Sequence, residues 1–173
     1  NTTGAGNIGI GLSTLFSNTT GNYNTAIANY SMTFNTTGSN NLAIGYNSLL
    51  NNTWGGFNIA LSTGALFNNT TGNYNIASGA YSLSQNTSGD DNIGIGYSSM
   101  ENNTTGNGSI AIGRQALNQN STGGYNVAIG FNAGFNETGS NKLYIENSNS
   151  TTPLIYGEFD NDLLRINGTL DIN

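Results

Sequence analysis

The sequence predicts an all-β chain: a parallel β-roll solenoid of eight 17-residue coils over residues 1–140, with a small C-terminal β-meander over residues 141–173 as cap or connector. Three observations predict it. An Asn-led apolar phrase returns at a fixed short period, the signature of stacked coils. Gly recurs at one fixed place in every unit from Gly21 to Gly123. The stretches between turns are too short for a helix pair, and are rich in β-branched residues.

Each element follows from the columns of the repeat. Asn stands at Asn7, Asn24, Asn41, Asn58, Asn75, Asn92 and Asn126, with Ser109 in the one gap; every interval is 17 residues. An aliphatic, Ala or Gly, and a second aliphatic follow. The small residues are Ala26, Ala43, Ala60, Ala77, Ala111 and Ala128, with Gly9 and Gly94. The second aliphatics are Ile10, Ile27, Ile44, Leu61, Ile95, Ile112 and Ile129, with Ser78 as the exception that predicts a loose fifth coil. Five residues beyond them lie Leu15, Met32, Leu49, Leu66, Leu83, Met100 and Leu117, then Gly134. Two strands of about four or five residues per coil fit this pattern. An Asn-Thr-Thr-Gly turn closes it, because Gly admits positive φ and Asn and Thr bond the local backbone. Eight coils at about 4.8 Å make a rod roughly 38 Å long.

Strand side chains alternate faces. The preferred assignment puts the aliphatics inside and the Ala/Gly column outside, where invariantly small residues admit another copy of the chain. The alternative puts Ala and Gly in a cramped interior and the aliphatics against a partner. Either way one strand carries two apolar faces, and a narrow polar coil has little core of its own, so self-association is expected. The Asn column is expected to form a ladder from coil to coil.

Composition limits what such a chain does. It has no Cys and no His among 173 residues, so no thiolate or imidazole chemistry and no Cys/His metal site. Its net charge is −6 with three basic residues, Arg114, Lys142 and Arg165, which argues against nucleic-acid binding or a polybasic membrane patch. Residues 1–89 carry no charged side chain. No apolar run is long enough to span a membrane, so no membrane insertion is expected of this segment. The chain opens on Asn1 and reads as a fragment or mature segment of something longer. Leu, Ile, Val and Phe total 37 residues, close to the range of disordered chains; the repeat decides for folding.

Candidate sites are few. Gly9-Ile10-Gly11 and Gly94-Ile95-Gly96 have no following helix and are not read as a dinucleotide motif. Asp160-Asn161-Asp162 with Glu158 lacks the Gly and terminal Glu of a calcium loop and reads as a solvated turn. Glu146, Glu158, Asp160 and Asp162 cluster in sequence without a sign of a cleft for hydrolysis. No enzyme activity, cofactor or metal is expected. The Asn-x-Ser/Thr sites at Asn18, Asn35, Asn69, Asn86, Asn103 and Asn120 read as turn chemistry, or as glycan acceptors in a glycosylating host. Trp54 and Phe57 are candidate receptor contacts. Tyr23, Phe57, Tyr74 and Tyr125 recur just before the Asn column and read as a ladder. The adjacent threonines of each turn point to opposite sides, which argues against an ice-binding array.

Asn41-Leu42-Ala43-Ile44-Gly45 and Asn126-Val127-Ala128-Ile129-Gly130 resemble the Asn-x-Val-Ala-Ile-Gly repeat of YadA-like adhesin heads. Similar repeats occur in phage tail-fibre-like trimeric proteins. The resemblance covers residues 1–140 and implies a homotrimer of left-handed parallel β-rolls in an extracellular or virion fibre, serving as spacer and adhesive display, with a surface glycan as the further partner. The period here is longer than that of the usual head coil. The phrase from Pro153 to Phe159, followed by Leu163 to Gly168, resembles a connector of long tail-fibre-like proteins, which implies a self-cleaving chaperone downstream. A carbohydrate- or ice-binding repeat module is the alternative function.

Overall fold

Short runs of β-branched residues around one small residue favour extended backbone, and in each unit they give a strand of three residues. The computed structural model describes residues 2–170; Asn1 and residues 171–173, the outer ends of the two expected domains, lie outside the described residues. The repeat strands are β1 (Ile8–Ile10), β2 (Thr25–Ile27), β3 (Leu42–Ile44), β4 (Ile59–Leu61), β5 (Ile76–Ser78), β6 (Ile93–Ile95), β7 (Ile110–Ile112) and β8 (Val127–Ile129). They pair in sequence order, parallel and in register, so Ala26 lies beside Ala43, Ala43 beside Ala60, and Ala111 beside Ala128. The chain is therefore a β-solenoid of about eight turns, all-β, with no helix among the described residues.

The second run of each coil is not a strand, contrary to expectation. Leu15, Met32, Leu49, Leu66, Leu83, Met100 and Leu117 all have φ between 50° and 52°. The position two residues earlier is left-handed as well, from Ser13 to Gln115. Alternating handedness prevents a pleat. The carbonyls of the next coil still take the amides, as in Met32 N to Ser48 O at 3.0 Å and Leu49 N to Ala65 O at 2.9 Å. Left-handed backbone costs a non-Gly residue about 1–2 kcal/mol, and those inter-coil bonds hold it in place.

The strand faces are the reverse of the preferred assignment. Ala26, Ala43, Ala60, Ala77, Ala111 and Ala128 are fully buried, whereas the flanking aliphatics are half-buried or exposed. The reason is bore. The Leu/Met column enters the interior from the opposite wall and fills it, with Met32, Leu49, Leu66, Leu83, Met100 and Leu117 at 0% exposure. What remains admits a methyl group at most: a Cβ added at Gly94 would stand 2.5 Å from Ser82 Oγ and 3.3 Å from Leu83 Cγ. Ser78 thus lies on the outer face, and β5 keeps its register with β4 and β6.

The recurrent Gly of each turn answers to close approach rather than to φ. At Gly72 an added Cβ would lie 2.4 Å from Gly89 O and 2.5 Å from Asn69 Oδ1, and the neighbouring coils repeat this. Neither the carbonyl nor the buried Asn can retreat.

The solenoid ends by a substitution in its smallest column. The last interval is 16 residues, from Val127 to Leu143, and β9 (Lys142–Ile145) adds parallel to β8. Tyr144 falls opposite Ala128, at the inner place, and packs on the core. Gly134 stands where other coils have Leu or Met because the Tyr144 ring occupies that space, 3.1 Å from an added Cβ. Next come β10 (Ile155–Glu158) and β11 (Leu163–Ile166), paired antiparallel in sequence order on the same sheet.

Candidate functional site

The outer faces of β1 to β8 form a straight aliphatic ridge, because in-register parallel pairing stacks like residues. Ile10 is 59% exposed, Ile44 39%, Ile95 40%, Ile112 38% and Ile129 41%; Ile27 and Leu61 are half-buried. The first aliphatic of each strand, such as Leu42, Ile59 and Ile93, runs beside them and is half-buried. Seven intervals of about 4.8 Å make the ridge roughly 34 Å long. Exposed apolar surface this extended is uncommon on protein exteriors, and Thr25 and Ser78 are its polar interruptions.

Behind the ridge the Asn column locks coil to coil. Each Oδ1 accepts the backbone N–H of the Asn in the next coil, from Asn7 through Asn24, Asn41, Asn58 and Asn75 to Asn92, at 2.9–3.0 Å. Each Nδ2 donates to the Gly carbonyl of the closing turn, as in Asn58 to Gly72 and Asn92 to Gly106. Ser109 continues the relay with its hydroxyl, which accepts Asn126 N at 3.1 Å. Asn126 Oδ1 passes it to Lys142 N at 2.8 Å.

A second ladder was not separated from turn chemistry in the sequence. The sequon residues Asn18, Asn35, Asn69, Asn86, Asn103 and Asn120, with Asn52, are at most 1% exposed. Asn35, Asn52, Asn69, Asn86 and Asn103 each donate to the Oδ1 of the Asn one coil earlier at 2.7–2.8 Å. The same Nδ2 reaches the Gly carbonyl three residues on. These nitrogens are interior donors, closed to glycan attachment in the folded chain. The signal was present: the Asn never varies in that column, and a merely solvated turn tolerates Ser or Asp.

The first Thr of each turn is also committed. Thr19, Thr36, Thr53, Thr70 and Thr87 donate their hydroxyls to the carbonyl of the same position one coil on, at 2.8–3.0 Å. The second row is the more exposed, with Thr20, Thr37, Thr105 and Thr122 facing solvent, but Thr71 is half-buried and Trp54 and Ser88 interrupt it. A regular two-row hydroxyl array is therefore missing among the described residues.

Trp54 is 67% exposed on its turn, and Phe57, 51% exposed, stacks on Tyr74 at 5.0 Å. Phe57 thus has one ring face occupied by its ladder neighbour. A wide-open aromatic surface lies on the first three coils, where Phe16, Tyr30, Phe34, Tyr46 and Leu50 line a shallow groove of about 490 Å³.

The carboxylates of the C-terminal strands serve structure. Glu158 accepts from Tyr156 Oη at 2.7 Å and Asn161 Nδ2 at 2.6 Å, and faces Lys142 Nζ at 3.8 Å. These hydrogen bonds, Tyr156 first, hold its carboxyl below the usual range. Tyr156 is pushed up to about 12 by desolvation and by Glu158. Tyr144 is raised further, by burial and by its 2.5 Å bond to Glu137. Glu146 accepts the amides of Asn147 and Leu154. No three acids converge on a metal-sized site among the described residues, and no helix among them is long and apolar enough to cross a membrane.

The fold and surface define the class: a repeat β-solenoid with a polar, hydrogen-bonded interior and an apolar outer ridge. No protein-family model matches the chain, and no curated protein or solved structure matches it.

Proposed function

We propose that this chain is a structural segment of a homotrimeric extracellular or virion fibre, a rigid spacer that displays adhesive surface. The observation that carries the proposal is the aliphatic ridge. It is outside a core already filled by Ala, Leu and Met, so the fold does not need it, yet the ridge persists along the solenoid. Burying such side chains is worth about 25 cal/mol per Å², and copies of the same straight ridge are complementary to one another. The resemblance to YadA-like heads supports three copies about a common axis. Inter-coil amide ladders suit a spacer, since every coil is tied to its neighbours along the rod. Committed Thr hydroxyls weigh against the ice-binding alternative.

The ridge is tested by Ile95→Asp with Ile112→Asp. Both side chains point outward, so the fold survives and the assembly is expected to fall to the monomer mass of 18.0 kDa, read by light scattering beside a circular dichroism spectrum. A variant that stays folded and associated removes the ridge from the interface.

A further inference from the structure

A near-uniform ridge cannot fix how copies align along it, because slipping one copy by a coil sets like residues against like again. Register has to come from columns that vary. Two such columns border the ridge, one residue before each ladder Asn and five residues after it. From coil 2 to coil 7 the earlier flank carries Tyr23, Asn40, Phe57, Tyr74, Asp91 and Gly108, and the later flank Asn29, Tyr46, Thr63, Ala80, Tyr97 and Arg114. Neither column follows a pattern of its own, yet every coil has one bulky and one short member. Gly6 and Leu12 extend the rule to coil 1. Only coil 8, beside the terminal strands, carries two bulky side chains, Tyr125 and Phe131. The bulky members are open to solvent, with Phe57 51%, Tyr46 50% and Tyr97 48% exposed. Rings on both flanks lean on the coil before, as Tyr23 does over Gly6 and Tyr46 does on Tyr30, so the two flanks keep the same level. Within one chain the strand separates them, and no ion pair or ring contact among the described residues joins them.

We infer that the flank before the strand in one copy packs, in register, against the flank after the strand in the next copy, around an axis parallel to the stack. Bulky side chains then meet short ones at each level from coil 1 to coil 7. An antiparallel two-fold centred on the repeat would instead set each flank against itself with the coil order reversed, Phe57 on Tyr74 and Tyr46 on Tyr97. Charge agrees with the parallel arrangement. Arg114 is the only base in residues 1–140. Its guanidinium stacks at 5.4 Å from the Tyr97 ring and 6.0 Å from the Phe131 ring, and it is exposed without an ion pair in its own chain. Asp91, exposed and equally without an ion pair, stands on the opposite flank in the coil of Tyr97. Between copies, Arg114 of one meets Asp91 of the next across a single coil step of about 4.8 Å, and a guanidinium takes a carboxylate in a two-pronged bond. A slip of one coil breaks this pair and the size match together. The inference rests on the homotrimer proposed above and adds its symmetry, its register and its ion pair.

The test uses the full chain, with mass read by sedimentation beside a circular dichroism spectrum. Arg114→Asp and Asp91→Arg each set like charges together at every contact between copies, and each weakens assembly about tenfold or more. The double variant restores it, and the single losses shrink in about 0.5 M salt. Because the chain has no Cys, Phe57→Cys with Thr63→Cys supplies its only thiols. A short bismaleimide joins such copies into a covalent set of three, whereas either single variant gives no linked species. In an assembly that keeps its mass, linked pairs from a single variant, no linking of the double variant, or charge variants without loss and rescue would overturn the flank pairing and leave the trimer standing. A folded wild-type monomer of 18.0 kDa would overturn the trimer and the pairing together.

Discussion

Asn69 shows how one residue type holds this solenoid. Its carboxamide nitrogen serves Asn52 Oδ1 and Gly72 O together, and its side chain is fully buried. Asn69→Ala leaves Asn52 Oδ1 unpaired and takes one of its two donors from Gly72 O, which keeps Asn58, and a loss of about 1–3 kcal/mol is expected from chemical denaturation. Gly72→Ala pushes a methyl against backbone and the same Asn, and is expected to cost about 3 kcal/mol. A change of opposite sign is expected at Gln115, which sits at φ 58° in a column where Gly64 already occurs. Gln115→Gly relieves left-handed strain and raises stability by about 0.5–1 kcal/mol, read as a higher melting temperature. The invariant columns were legible as columns. Their direction was not, because hydrophobicity marks two apolar faces of one strand and cannot rank them; side-chain volume does. Ala43 fits the bore already filled by Leu49, and Ile44 does not. Locally Asn35, an interior donor, reads like an ordinary turn Asn, since both favour the same backbone; only the invariance of its column from Asn18 to Asn120 marks it.

At the scale of elements, three-residue strands and the left-handed run opposite them share one set of inter-coil bonds. The left-handed Leu/Met column had no sequence signal, since Leu has no preference for positive φ and stays there through its carbonyl partners in the next coil. The terminal element was marked by Gly134, whose exception to the Leu column makes room for Tyr144. The strands after the last coil are the part of the molecule whose stability follows pH through Glu158 and Tyr156. Glu158 is depressed in the folded state, so its contribution is present above its ordinary value of 4.5 and is lost as pH falls through the lower folded value. Tyr156 is raised, so its contribution is complete below 10 and is lost as pH rises from 10 towards 12. Hydrogen exchange is expected to show β10 and β11 loosening at both extremes while β3 to β5, which contain no ionisable side chain, keep their protection.

The whole molecule is a stack in which every coil is the template for the next, with a plug at one end and a ridge along one side. Its core is narrow, and much of its apolar surface is outside. That imbalance makes self-association the central claim. The period, the all-β class and the expectation of a partner were all readable from columns such as Asn41 to Gly45. The groove on the first coils was not, because Phe16, Phe34 and Tyr46 come from different coils and different columns, and only winding brings them together.

The most direct measurement is the absolute mass in dilute solution by light scattering. The account predicts three times 18.0 kDa, about 54 kDa, held on dilution. A folded monomer of 18.0 kDa, with the ridge open to water, would contradict it.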